Sequence, residues 1–370
     1  MKILYICSKL PNPVRSGVDL RVGIQVQALE KLGEVRIFPS SASGANQSSH
    51  VSQEDIKNII VNKAKPFAHR FIAETERELQ RTLKEFAPQI IVISKLESTT
   101  YLETVLSYRS ARLILDLDES AHQVMETFEK IGNNPAQRML TRKYLQAICD
   151  FEAEILSMFS QLWVCSDLEI ERVQKNYSEI PELICVPNAI DFDKYKFAHA
   201  DKVLRRVVFH AGFAYGPNVD AAHFIIDDLL PVMQDFTFQF IGSNIPDWMK
   251  KSASAHVELH NNVDNMAPFL ADAGIVIIPL RAGAGTRLKA LEAFASKTAV
   301  VSTALGVEGL GVEDGKHFLR AESALEFAEA CNRLVEDPDL YRRITQAAFE
   351  HAQENYSLDN VYSILKSAID

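Results

Sequence analysis

The sequence predicts an α/β protein built from two doubly wound domains, each with a parallel sheet. Short strand-like apolar runs alternate with longer segments of helical periodicity, which is typical of this class. A second strand-turn-helix series begins near residue 205, after an irregular polar stretch. The chain is 370 residues long, which suits two domains better than one.

In the first half, apolar runs predict strands and three-to-four-residue spacing predicts the helices between them. The predicted strands are 3–7, 34–38, 89–93, 112–117, 162–165 and 183–186. The predicted helices lie near 19–32, 66–86, 98–108 and 135–159. The Ser/Gly/Asn/Gln-rich segment 40–53 predicts a loop.

In the second half, strands are predicted at 206–210, 237–241, 275–278 and 299–302, with a helix over 219–230. The domain bounds that follow are 1–190 for the first domain, 191–204 for a linker and 205–355 for the second domain. The amphipathic segment 356–370 is expected to form a helix that packs back on the first domain.

Composition excludes several classes of protein. The net charge of −10 disfavours nucleic acid as a partner. No apolar run is long enough to span a bilayer, and the N-terminus does not resemble a secretory signal. Five cysteines, none in a CxxC pair, suit reduced buried thiols. We therefore expect a cytoplasmic protein.

The segment 275–295 carries the clearest chemical signal. A buried strand runs into a turn with Gly283 and Gly285, and a helix is expected to open near Thr286. Glycines let a ligand approach the backbone, and a helix N-terminus favours an anion such as phosphate. Arg287 and Lys289 add positive charge that the helix dipole alone would disfavour. The alternative is a simple left-handed turn with exposed cations.

Glu292 lies about two helical turns beyond this glycine turn. If the helix end meets phosphates, its carboxylate could accept hydrogen bonds from ribose or sugar hydroxyls. The alternative is an ion pair with Lys289 on a solvated face.

The chain resembles the retaining GT-B glycosyltransferases of family GT4. The segment above is similar to the donor-binding element of that family, and the other matching stretches occur in the family's order. They are Trp163-Val-Cys-Ser-Asp167, Val186-Pro-Asn-Ala-Ile-Asp191, Phe209-His-Ala-Gly212 with Pro217-Asn218, Phe240-Ile-Gly242, and Val301-Ser-Thr-Ala-Leu-Gly-Val-Glu-Gly309. In detail the chain resembles the bacterial polysaccharide-type sugar transferases.

This resemblance implies the GT-B fold, with two facing Rossmann-like domains and a cleft between them. It implies that Glu292 holds the ribose of a nucleotide-sugar as the second Glu of an E-x7-E motif. The first Glu of that motif is replaced by Ala284, which leaves recognition of the donor sugar open. The donor-binding residues that it implies are Gly17, Gly212, Gly283, Gly285, Thr286, Glu292, Ser302, Thr303 and Glu308. For the last three, ordinary loop polarity is the alternative.

The resemblance also implies catalytic roles for Arg287, Lys289, Asp118 and His122. The basic pair that usually binds the diphosphate is missing from 214–218, and Arg287 with Lys289 could replace it. Leaving-group stabilisation by cations and amides needs no metal and no cofactor. A structural role is the alternative for His122.

The predicted activity is transfer of a hexose from a nucleotide-diphosphate donor to a glycan or lipid-linked acceptor, with retention, in polysaccharide biosynthesis. A nucleotide-sugar epimerase or hydrolase of the same fold, and a binding protein without transfer activity, are the alternatives. A dinucleotide-dependent oxidoreductase is disfavoured because no GxGxxG follows the first strand.

The segment 57–71 is basic and aromatic. It holds three lysines, an arginine and two phenylalanines without a carboxylate. Such a patch suits peripheral contact with an anionic membrane at the inner face. The alternative is a solvent-exposed helix start.

Overall fold

The computed structural model describes the two halves of the chain as two compact units. The first comprises Met1–Asn188 with Val361–Asp370, and the second comprises Ala189–Asn360. The described residues are 1–8, 17–41, 53–128, 135–195, 202–263, 265–283 and 287–370. Most of the predicted loop 40–53 lies outside them.

The first unit has a parallel sheet with the strand order β2-β1-β3-β4-β5-β6 among its described residues. Its strands are β1 (Lys2–Cys7), β2 (Glu34–Pro39), β3 (Ile90–Ser94), β4 (Arg112–Asp118), β5 (Gln161–Val164) and β6 (Glu182–Cys185). Its helices are α1 (Gly17–Glu30), α2 (Gln53–Val61), α3 (Ala73–Phe86), α4 (Leu102–Ser107), α5 (Ala121–Phe128), α6 (Pro135–Ile155) and α7 (Asp167–Asn176).

The second unit has a parallel sheet with the order β12-β11-β10-β7-β8-β9 among its described residues. Its strands are β7 (Val203–Gly212), β8 (Thr237–Ser243), β9 (Val257–Asn261), β10 (Ala273–Ile278), β11 (Ala299–Ser302) and β12 (Leu319–Arg320). Its helices are α8 (Gly216–Phe224), α9 (Asp247–Lys250), α10 (Ala267–Asp272), α11 (Leu288–Ala295), α12 (Ala324–Glu336) and α13 (Pro338–Tyr356). A last helix, α14 (Leu358–Ile369), ends the chain.

The central strands were predicted well because they are continuously apolar and lie between helical layers. β12 was missed, since it is a two-residue strand at the edge of the sheet. The helix predicted over 219–230 begins earlier, at Gly216, and gives way to a π-helical turn over Ile225–Leu229.

Both ends of the predicted linker, 191–204, belong to the second unit. Phe192–Tyr195 form a short 3-10 helix, and Tyr195 is buried in the second core. Residues 196–201 lie outside the described part, and β7 begins at Val203. In α14, the residues from Val361 onward belong to the first unit, where Arg112 and Gln161 donate hydrogen bonds to the Ala368 carbonyl.

In each sheet the chain reverses its direction of progress once. In the second unit it passes from β7 to β8 and β9 on one side, then returns to β10, β11 and β12 on the other. The reversal lies between β7 and β10, and in the first unit it lies between β1 and β3. Open α/β sheets bind ligands outside the carboxyl ends of the strands at such a point. Within the described residues, no helix is long and apolar enough to cross a membrane.

A buried arginine connects the elements of the first unit. Arg21 on α1 is 3% exposed, and its guanidinium Nε lies 3.1 Å from Oδ2 of Asp116 on β4. It also donates to the Val186 carbonyl at 2.8 Å and to the Asn188 side chain at 3.2 Å. Arg21 therefore ties the first helix to the middle of the sheet and to the end of the unit.

Arg21→Met should lower the free energy of unfolding by about 3–5 kcal/mol, because it leaves the Asp116 carboxylate buried without its cation. Urea denaturation with circular dichroism measures this change. The exposed Arg109 of the same unit provides a matched control, and Arg109→Met should change stability by less than about 0.5 kcal/mol. Equal effects of the two substitutions would contradict this role for Arg21.

Candidate functional site

The predicted anion site lies at the reversal point of the second sheet. β10 ends at Ile278, and the chain passes through a turn to α11, which begins at Leu288. Gly283 in this turn has φ +115, and a Cβ there would lie 3.3 Å from the Tyr215 hydroxyl oxygen. A side chain would be strained at this position, so the residue type is dictated by the turn. Gly285, Thr286 and Ala284 lie outside the described residues.

Arg287 immediately precedes α11 and is 6% exposed. Its Nε donates to the Leu305 carbonyl at 3.0 Å, and its Nη2 donates to the Gly283 carbonyl at 3.0 Å. The guanidinium therefore joins the β10–α11 turn to the loop that follows β11. The alternative of exposed cations at this turn does not hold for Arg287.

Lys289 projects from the first turn of α11 toward the end of β7. Its Nζ donates to the side-chain oxygen of Asn218 at 2.9 Å and lies 5.0 Å from the centroid of the Phe209 ring. Asn218 in turn donates to the Gly212 carbonyl at 2.9 Å. The lysine is thus held by an amide and an aromatic face, at the carboxyl end of β7.

Glu292 faces the same strand end from the second turn of α11. Its Oε1 accepts a hydrogen bond from the Tyr195 hydroxyl at 3.0 Å, and its Oε2 lies 3.5 Å from Nδ1 of His210 on β7. The Glu292 side chain is 19% exposed. We call Tyr195, His210, Asn218, Lys289 and Glu292 the α11 cluster.

Burial shifts the ionisation of this cluster. It lowers the pKa of Lys289 to about 7, with the Arg287 charge acting in the same direction and Glu292 opposing. It raises the pKa of Glu292 to about 7, against the hydrogen bond from Tyr195 and the charge of Lys289. It lowers the pKa of His210 to about 3, so the imidazole is neutral near pH 7. Groups with such shifts at a strand end indicate a functional site.

Ser302, the last residue of β11, and Thr303 after it donate hydrogen bonds to backbone carbonyls near the end of β10. The Ser302 hydroxyl lies 3.1 Å from the Ile278 carbonyl, and the Thr303 hydroxyl donates to the Leu280 carbonyl at 2.6 Å. Both side chains are buried, while Glu308 is half-buried. These bonds join the ends of β10 and β11, and the assignment of these residues to donor binding stays a prediction.

Asp118 ends β4 in the first unit with a left-handed backbone, φ +65. Its Oδ2 lies 3.0 Å from Nζ of Lys95, which also has positive φ, and its Oδ1 lies 3.6 Å from Nε of Arg21. Burial alone would raise the pKa of Asp118, but Lys95 and Arg21 lower it. Asp118 is therefore an ionised carboxylate on a strained backbone, which is common at functional sites.

His122 lies in the first turn of α5, also in the first unit. Its Nδ1 is 2.9 Å from the Tyr177 hydroxyl, and the two rings meet edge to face. The Tyr177 hydroxyl also faces the buried carboxyl of Glu152, whose pKa burial raises to about 8. Gly17 is the first residue of α1. The roles of His122, Asp118 and Gly17 stay predictions.

Sequence reasoning missed several members of these sites. His210 and Asn218 stood inside motifs that carry the resemblance, but neither was assigned a role. Tyr195 was placed in the linker, and Lys95 was not singled out, although its ammonium lies 3.0 Å from Asp118 in the folded protein. Only the packing of separate elements brings these side chains to the predicted residues.

Part of the chain is similar to a known protein family. Residues 205–337 match the family model "Glycosyl transferases group 1", and this range holds most of the α11 cluster. A protein of the cps region of Klebsiella pneumoniae is 25% identical over 223 residues. That match spans 57% of this chain and 56% of the relative, so the chain matches little more than half of the relative's length.

Solved structures show similar folds over the whole chain. Sucrose-phosphate synthase from Thermosynechococcus elongatus superposes with a TM-score of 0.73 at 15% identity, covering 100% of this chain and 98% of that one. HepE from Anabaena, solved in complex with UDP and glucose, superposes with a TM-score of 0.65 at 14% identity, covering 100% and 99%. The predicted fold class is confirmed: the chain has two Rossmann-like parallel α/β units and the GT-B glycosyltransferase fold.

The raised pKa of Glu292 predicts a pH-dependent loss of stability. The folded protein keeps this proton up to about pH 7, whereas the unfolded chain loses it near its ordinary pKa of 4.5. The contribution is therefore fully present below that ordinary value and is lost as the pH rises to about 7. Glu292→Gln cannot titrate, so its unfolding free energy should fall less than that of the wild type over this window.

Urea denaturation at several pH values between about 4.5 and about 7 measures both curves. The exposed Glu329 gives the matched control, and Glu329→Gln should follow the wild-type curve. Parallel curves for Glu292→Gln and the wild type would contradict the raised pKa.

Proposed function

We propose that this protein is a retaining glycosyltransferase of the GT4 type that transfers a hexose from a nucleoside diphosphate sugar. The α11 cluster carries this proposal, because it places a lysine and a carboxylate together at the reversal point of the second sheet. The match of residues 205–337 to the family model supports it independently. The acceptor that we propose is a glycan or a lipid-linked sugar in polysaccharide biosynthesis.

In this proposal the second unit stabilises the leaving nucleoside diphosphate. The amides of Ala290 and Leu291 donate to the Arg287 carbonyl at the start of α11, and the helix dipole favours an anion at this end. The Lys289 ammonium stands in the same turn. As the bond to the sugar breaks, negative charge grows on the diphosphate, and fixed donors of this kind lower the barrier.

Glu292 is proposed to bind the ribose. Its carboxyl is oriented from two sides, by the Tyr195 hydroxyl and by the imidazole of His210. A carboxyl held in this way is prepared to accept hydrogen bonds from a vicinal diol with little reorganisation. The chemistry needs no resident metal or cofactor, which stays a prediction, as does a cytoplasmic location.

UDP-sugars are the first donors to test, since the similar HepE structures are in complex with UDP, with UDP and glucose, and with UDP-glucose. The donor that we propose to screen first is UDP-glucose. Transfer to added glycan acceptors, hydrolysis and epimerisation can be followed together with a labelled sugar. Hydrolysis or epimerisation without transfer to any acceptor would contradict the proposed activity.

Lys289→Ala should lower the rate of transfer about 10²–10³-fold, because one charged donor to the leaving group is lost. The melting temperature should change little or rise, since the removed cation is poorly solvated. The exposed Lys251 of the same unit is the matched control, and Lys251→Ala should keep the wild-type rate. An unchanged rate for Lys289→Ala would contradict the proposed phosphate site.

Arg287→Ala differs from Lys289→Ala because Arg287 also bonds two backbone carbonyls. We expect it to lose both activity and stability, the latter by about 1–3 kcal/mol for the carbonyls left without a donor. An arginine that only contacted the ligand would lose activity without a comparable loss of stability. The two carbonyl contacts of Arg287 add the loss of stability.

We further propose that the first unit contacts an anionic membrane surface through 57–71 and the adjoining helix α6. Ile60, Lys63, Lys143 and Gln146 line one shallow surface groove between α2 and α6. The apolar side chain of Val61 beside it is 85% exposed. Lysines around exposed apolar groups favour anionic headgroups. Within 57–71, however, Phe67 is buried against Phe151, and Lys65 pairs with Glu103.

The double substitution Lys63→Glu with Lys143→Glu should weaken binding to vesicles that contain phosphatidylglycerol by at least about tenfold, at about 1 kcal/mol per basic residue. Vesicle co-sedimentation at low and high salt measures this. The exposed Lys84 on α3 gives the control, and Lys84→Glu should bind as the wild type does. Absence of wild-type binding, or binding insensitive to salt, would contradict the membrane contact.

A further inference from the structure

Three ionisable side chains of the α11 cluster, those of His210, Lys289 and Glu292, lie close together. Nδ1 of His210 lies 3.5 Å from Oε2 of Glu292. Lys289 and Glu292 are three residues apart on α11 and therefore share one helix face. Each of these groups is close enough to the next for its charge to depend on the others.

The surroundings of Lys289 stabilise the positive charge of its ammonium poorly. Its ammonium donates a hydrogen bond to the neutral amide of Asn218, and the Phe209 ring centroid lies 5.0 Å away. Among the described residues, no carboxylate forms an ion pair with its ammonium within 4.0 Å. Burial removes water and the neighbouring Arg287 repels the charge, so the neutral amine is favoured above about pH 7.

The remaining polar groups around the three side chains do not supply a full negative charge to Lys289. From the 3-10 helix, Tyr195 bonds to Glu292, and Lys194 acts on the same carboxyl from a distance. Asp191 acts on Tyr195 rather than on the lysine. His210, 7% exposed on β7, is neutral, and its Nε2 has no hydrogen-bond partner among the described residues.

We propose that binding of the nucleoside diphosphate sugar at the α11 cluster is accompanied by the uptake of one proton, which is held on Nζ of Lys289. The proton comes from the solvent, and the charge of the diphosphate does not change. The inference rests on the proposed function. It assigns Lys289 a charge that the ligand induces, instead of a permanent one.

The physical reason is the change of environment on binding. Without a ligand, the ammonium faces Arg287 in a poorly hydrated place. A diphosphate adds opposite charge within the first turn of α11, and an opposite charge within about 4–6 Å favours the protonated amine. The protein then presents a positive group only to ligands that carry negative charge there. Ligands without a diphosphate would not induce it.

Isothermal titration calorimetry with UDP-glucose tests the proposal. Its diphosphate is esterified at both ends and keeps its charge between about pH 6 and about pH 9. The titration is run at about pH 8 in HEPES and in Tris, whose heats of ionisation differ. The difference in binding heat gives the number of protons taken up, and we expect a value approaching one. The affinity should fall up to tenfold per pH unit between about pH 7 and about pH 9.

Lys289→Arg is the matched variant, because arginine keeps the charge and does not titrate in this range. It should bind with no proton uptake and with a flat pH profile. Lys251→Arg, at an exposed lysine of the same unit, should keep the uptake of the wild type. Where Lys289→Arg fails to bind or fold, Lys289→Gln is the second variant, because its side chain cannot titrate and its binding should therefore show no uptake.

Measurable binding of UDP-glucose by the wild type without proton uptake would overturn the inference and leave the proposed function standing. Uptake that persists in Lys289→Arg or in Lys289→Gln would assign the proton to another group and likewise overturn it. Absence of any binding by the wild type would contradict the proposed UDP-glucose donor itself.

Discussion

The path of the chain through the second sheet determines where this protein can do chemistry. Because the chain leaves β7 toward one edge and later leaves β10 toward the other, the connections diverge outside the carboxyl ends of these two strands. The end of β7 contributes His210 and the Gly212 carbonyl, and the turn after β10 leads into α11. Polar groups from three separate elements can therefore meet there without interrupting the apolar layers on either side.

Desolvation shifts the pKa values of the ionisable side chains at the carboxyl ends of β7 and β10. A lysine and a glutamate that would both be charged in water are each moved toward the neutral form, to pKa values of about 7. Their protonation then depends on the charge of a ligand that binds beside them. The electrostatic interaction free energy between two charges is larger where little water surrounds them. The same burial makes Arg287 a structural group, with two of its donors used by backbone carbonyls. Arg287 and Lys289 are close in sequence but therefore have different roles.

The first unit places its buried charges differently. Asp116 and Asp118 at the end of β4 face two cations, Arg21 and Lys95, and form ion pairs with them. Lys95 and Asp118 both have positive φ, a conformation that costs side-chain-bearing residues about 1 kcal/mol or more. The surrounding sheet and the ion pairs hold this backbone in place. The unit therefore presents fixed charges, whereas the α11 cluster presents charges that can change.

The sequence alone determined the fold class and most central strands, because continuous apolar runs leave little choice once both faces of a sheet are covered. It also determined the glycine turn, Arg287, Lys289 and Glu292, which are neighbours along the chain. It failed for the edge strand β12, which is too short to show an apolar periodicity. Only the tertiary structure decided that Arg287 turns inward, and that Tyr195, His210 and Asn218 surround Lys289 and Glu292. The physical reason is that hydrophobic periodicity is a local property, whereas burial and charge at a site arise from elements far apart in sequence.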